Sequence, residues 1–126
     1  MVVNNSIQGQ FQHEHKTWHR LLEFFTQENT ILKNRLAEVV DQTMDKSFLA
    51  LAEHFQNKFI TKDEYIFELQ QDIEQLDIDV LNKKAPAADF ISLVKRQEKL
   101  RNEMEFFEKD FNSLKNAFNK QLSSDI

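Results

Sequence analysis

The residues with the greatest chemical capacity in this chain are two histidines, His15 and His19, four positions apart. That spacing puts two imidazoles on adjacent turns of one helix face, where they can share a metal ion. Asp72 and Glu74 are the acids that a returning second helix would bring level with them, and their oxygens would extend the site. Zinc or iron is the ion such a set would take, and the same group could instead respond to pH. The alternative is structural: a core-edge His15 bonded to Gln97 or to an acid, with His19 flanking it. His13 falls off this face and is expected in solvent.

Whether these side chains meet depends on the elements that carry them. Three stretches keep an unbroken 4-3 spacing of core-type positions, the signature of helices that bury one stripe on each other. The first runs Phe11, His15, Trp18, Leu22, Phe25, Asn29, Leu32, Leu36, Val39 and Thr43. The second runs Phe48, Ala52, Phe55, Phe59, Lys62, Ile66, Leu69, Ile73, Leu76 and Val80. The third runs Leu93, Gln97, Leu100, Met104, Phe107, Phe111, Leu114, Phe118 and Gln121. The chain has one glycine, Gly9, and one proline, Pro86.

The pattern predicts an all-α, up-down-up antiparallel bundle of three long helices in a single domain spanning residues 1–126. The helices are expected at about 10–43, 45–78 and 86–122. A four-helix bundle, completed by a short extra helix or by a dimer partner, is the alternative. Thr43 and Asp45 can each cap a new helix, which places the first turn at Asp41 to Ser47. Pro86 suits a first helical position, and Asp89 adds favourable charge close behind it.

Antiparallel helices joined by short turns define a register. Reversal near residue 45 sets Asn29 level with Lys62 at mid-bundle, and Glu105 or Glu108 of the third helix within reach of Lys62. With Gln97, these form a buried polar set that would fix register by penalising every alignment that leaves them unpaired. A polar pocket and simple exposure of Lys62 are the competing readings. Reversal near residue 84 brings the acids from Asp63 to Asp79 opposite Lys95, Arg96, Lys99 and Arg101. His54 falls roughly 25 Å along the bundle from His19, so one site cannot use all four histidines.

Composition narrows the functional classes. The chain has 126 residues, no cysteine and a formal charge of -5, which removes thiol chemistry and disulfides and argues against a nucleic-acid footprint. No stretch approaches the ~20 apolar residues of a membrane span, and residues 1–10 lack the features of an export signal; a cytoplasmic location is expected. No glycine-rich phosphate loop, nucleophile elbow or Ser-His-Asp grouping occurs, and tightly interdigitated heptads are expected to leave no cleft. An enzyme is not expected.

Phe24, Ile31, Ile60, Phe67 and Phe106 are apolar but lie off the ladders, at the middle levels of the bundle. Either they widen the internal core, or they form an apolar belt that docks on a partner or on a second copy of the chain. The sequence reading is therefore a helical interaction or scaffold protein, self-associating through that belt. A metal-binding or pH-responsive module built on His15 and His19 is the alternative.

The segments Glu14-His15-Lys16-Thr17-Trp18 through Asn34-Arg35-Leu36, and Glu53-His54-Phe55-Gln56-Asn57-Lys58-Phe59-Ile60, resemble a family of small uncharacterised bacterial helical-bundle proteins. The resemblance covers the first two helices and implies the fold without a function. Hemerythrin-like proteins share the bundle idea, but here Lys58 follows His54 where a glutamate would be needed. Spectrin-type repeats resemble the chain in architecture and in having a tryptophan, here Trp18, on the first helix.

Overall fold

The computed structural model describes residues 2–82 and 87–125, with side chains described for 7–82 and 90–123. It is a three-helix bundle: α1 Val2–Asp41, α2 Lys46–Leu81 and α3 Ala87–Asp125. The helices pack against one another with no strand among the described residues.

Among the described residues, every buried side chain except Leu122 stands on one of the three ladders. This is the direct result of the 4-3 spacing, which keeps one stripe facing the bundle axis along each helix. Much of the filling is phenylalanine. Phe25 meets Phe107 and Phe111 at ring-centroid distances of 5.4 and 5.1 Å, and Phe118 meets Phe55 and Phe59 at 5.3 and 5.2 Å. The last rung of α3 differs from the expected one: Leu122 is buried and Gln121 exposed. Near the helix end, a four-residue step from Phe118 brings an apolar side chain inward where a three-residue step would bring an amide.

The first turn forms as its capping residues dictate. Asp45 accepts a hydrogen bond from the Ser47 amide and leaves the helix with φ −74° and ψ 117°. Thr43 Oγ1 in turn accepts from the Asp45 amide. The Lys83 to Pro86 connection and the Asp89 side chain lie outside the described residues, so the proposed proline start does too.

Helix α1 begins about two turns earlier than expected. Gly9 does not end it, because a single helical glycine costs only ~1 kcal/mol relative to alanine. The Gln8 side chain also donates to the Val80 carbonyl at 2.8 Å, which fastens these first turns to the end of α2. The α1–α2 register agrees with reversal near residue 45: Asn29 reaches Phe59 and Asp63, and His15 reaches Asp77. The α3 register is displaced by about one turn from the expected one. Lys62 is paired with Asp110, not with Glu105 or Glu108, so the first turn of α3 extends beyond the end of α2.

Candidate functional site

The bonded contacts assign a flank to each helix. On α1, the residues four places after His15-type ladder positions face α2, as Lys33, four places after Asn29, does toward Asp63. Residues preceding those positions face α3, as Glu14 does toward Arg101 and Glu28 toward Lys115. The outward residues then fall into place. Phe24 and Ile31 lie on the outer shoulder of α1 nearer α3, and Ile60 and Phe67 on the shoulder of α2 nearer α1. Phe106 lines a depression between α2 and α3 with Tyr65, Lys95, Lys99 and Glu103.

None of these five belongs to the core. Their exposure runs from 43% for Ile60 to 62% for Phe106, so the widened-core alternative does not hold. They form a belt distributed over the three sides of the bundle. Ile78, Leu81 and Ile91, which the sequence reading did not single out, are also exposed apolar residues near the α2–α3 end.

The four proposed metal ligands do not converge. His15 is buried, its Nδ1 lies 2.7 Å from Asp77 Oδ1, and its Nε2 lies 2.7 Å from Gln97 Oε1. Both ring nitrogens are therefore engaged, and His15 has no free lone pair to offer an ion. Asp72 and Glu74 are exposed, and Asp72 sits on the α3 side with Arg96 and Lys99. The acid on His15 is Asp77, which follows the buried Ile73 by one turn and so sits at the core margin. His19 is half-buried, and His13 and His54 are exposed. Among the described residues, no group of three or more histidines and acids is arranged to hold a metal ion.

A larger polar junction takes shape around His15. The Gln97 amide donates to Glu14 Oε1 at 2.7 Å. Arg101 donates to both Glu14 oxygens at 2.8 Å, a two-pronged contact that suits the planar guanidinium. The Arg101 hydrogen bond holds the Glu14 carboxyl below its ordinary value of 4.5, with help from Gln97 and against the opposing effect of burial. Glu14, in turn, raises Arg101 above its ordinary range. The heptad register contained a sign of this pair: Glu14 precedes a ladder position on α1 and Arg101 follows one on the parallel α3, the flanking sites where opposite charges pair. Of the other bases expected to meet α2, Arg96 reaches Asp79, whereas Lys99 pairs with Glu103 of its own helix.

Asn29 and Lys62, expected to face each other, each find an acid instead. Asn29 donates to the Phe59 carbonyl at 2.9 Å and to Asp63 at 2.7 Å. Its own Oδ1 is buried with no hydrogen-bond partner. Lys62, largely covered, pairs with the half-exposed Asp110.

Contrary to the expectation of no cleft, the turn between α1 and α2 borders an open one of about 520 Å³ with Val39, Phe48 and Leu122 among its walls, where the ladders end and no longer interdigitate. Its charged lining residues are Arg35 and Asp45, with no nucleophile and base in contact. No helix of the described residues is long and apolar enough to cross a membrane. The chain matches no known family model, no curated protein and no solved structure.

Proposed function

We propose that this chain is a non-enzymatic helical interaction protein that associates with itself through the belt of Phe24, Ile31, Ile60, Phe67 and Phe106. The observation that supports this reading is the exposure of three phenylalanines and two isoleucines at mid-bundle, above a core that is already filled. Each phenylalanine carries ~150–250 Å² of surface, so exposing more than half of it leaves ~2–4 kcal/mol of burial energy per ring available to a partner. Among the described residues, five of the ten large hydrophobic side chains that are exposed belong to this belt.

Light scattering across a concentration series tests the reading. The unaltered chain should gain mass with concentration, while Phe24→Glu combined with Phe67→Glu should remain a folded monomer. These side chains are exposed, so the charges meet water in the monomer and meet each other's apolar surroundings only in the assembly. An unaltered chain that is monomeric throughout the series overturns the proposal.

A further inference from the structure

We propose that His15 is a proton-operated latch: the end of the bundle where α1, α2 and α3 meet around it is closed while the His15–Asp77 pair holds its shared proton, and loosens when that proton leaves.

The hydrogen-bond pattern requires that proton. Glu14 accepts from Arg101 through both oxygens and from the Gln97 amide, and an ionised carboxylate can only accept. The amide nitrogen of Gln97 is therefore turned to Glu14 and its oxygen to His15 Nε2, 2.7 Å away. An amide oxygen also only accepts, so Nε2 must carry a hydrogen. At the other side of the ring, Nδ1 lies 2.7 Å from Asp77 Oδ1. A neutral ring has spent its one hydrogen on Nε2, and would set a bare nitrogen lone pair against a carboxylate. One further proton between Nδ1 and Oδ1 closes the contact.

Rotating the ring offers no escape, because both of its nitrogens face acceptors. The ring itself is shut off from water, with His15 2% exposed, while Asp77 stands at the margin with its side chain 37% exposed. The charged and titratable groups around this junction include Glu14 and His19 from α1, Asp77 and Asp79 from α2, and Arg96 and Arg101 from α3, with Glu98 and Glu105 of α3 acting on Arg101. Arg101 neutralises Glu14 and Arg96 neutralises Asp79, while Asp77 is matched by the ring itself. Loss of the proton thus sets a lone pair of the buried ring against the part-buried Asp77 carboxylate, at a point where all three helices are joined.

The sign follows from the contact: it is complete with the shared proton and incomplete without it, so this end should hold at low pH and loosen as pH rises. The reporter is already in place. Trp18 is the chain's one tryptophan, and its ring centroid lies 5.5 Å from that of His15. Nitrogen NMR of the His15 ring, Trp18 emission and amide exchange should be followed together from pH 5 to 9.

As the ring loses its second proton, Trp18 emission should change. Amide exchange near residues 14–18, 73–80 and 97–101, corrected for its intrinsic pH dependence, should accelerate about 10- to 100-fold, as expected for losing one charge-assisted hydrogen bond. In Asp77→Asn, the side-chain carboxamide can donate to a neutral Nδ1, and exchange should become insensitive to the ring's titration. Exchange that stays constant in the unaltered chain while the ring titrates overturns the latch, as does an unchanged pH response in Asp77→Asn. If Asp77→Asn does not fold, the unaltered chain alone decides.

Discussion

Replacing Asn29 by leucine should make the bundle more stable and less exact. Asn29 is fully buried, and its amide satisfies the Phe59 carbonyl and Asp63 while its Oδ1 has no partner. Loss of the bond to the carbonyl costs ~1 kcal/mol, because Phe59 lies within α2 and its oxygen retains the helical bond. Loss of the bond to Asp63 costs ~1.5–3 kcal/mol, the range for a charged acceptor. Asp63 keeps Lys33 as a partner. Against these losses, removing an unmet buried acceptor returns ~1–3 kcal/mol, and burying a leucine side chain contributes ~2 kcal/mol. At central values, ~3 kcal/mol lost against ~4 kcal/mol regained, the balance is a gain of about 1 kcal/mol, or about 3–6 °C in Tm for a domain of this size. Guanidinium unfolding should show a higher midpoint, and a lower slope would report a looser native register. Asn29→Asp supplies the contrast: a buried carboxylate beside Asp63 should cost more than ~3 kcal/mol. A loss of stability in Asn29→Leu with an unchanged slope would refute the reasoning, since it would mean that the buried amide is a net stabiliser.

Two further outcomes follow from the core and from the junction. Phe111 is fully buried between Phe25 and Phe107, so Phe111→Ala should lower stability by about 3–5 kcal/mol in chemical denaturation. Glu14 has a depressed pKa in the folded chain, so its contribution is present above the ordinary value of 4.5 and is lost as pH falls through its lower folded value. Arg101→Gln should flatten that acid limb of a stability-versus-pH curve, because the hydrogen bond that depresses Glu14 most is removed.

The ladders made the fold legible because each turn of each helix repeats the same instruction. Phe, Leu and Ile at the 4-3 positions had to face inward, and Asp45 and Thr43 had to end the first turn. The α1–α2 register was legible for the same reason, since both sides of that turn carry recognisable caps. The α3 register was not, because Pro86 marks a helix start but leaves the course of the connection before it unspecified. A displacement of one turn exchanged Glu105 or Glu108 for Asp110 as the partner of Lys62. The same limit applied to His15. Its buried position and its contact with Gln97 or an acid were readable from its place on the ladder. That it takes both at once, and that Glu14 and Arg101 complete the junction, depends on flanking residues whose distances vary with the crossing of three helices. Asp72 and Glu74 were level with the histidines in sequence register, but level residues meet only when they also point inward, as Asp77 does from the core margin.

Sedimentation equilibrium of the unaltered chain beside the Phe24→Glu and Phe67→Glu double variant tests the central claim most directly. The account predicts a reversible oligomer for the unaltered chain and a helical monomer for the variant. Two identical monomers at every concentration would contradict it.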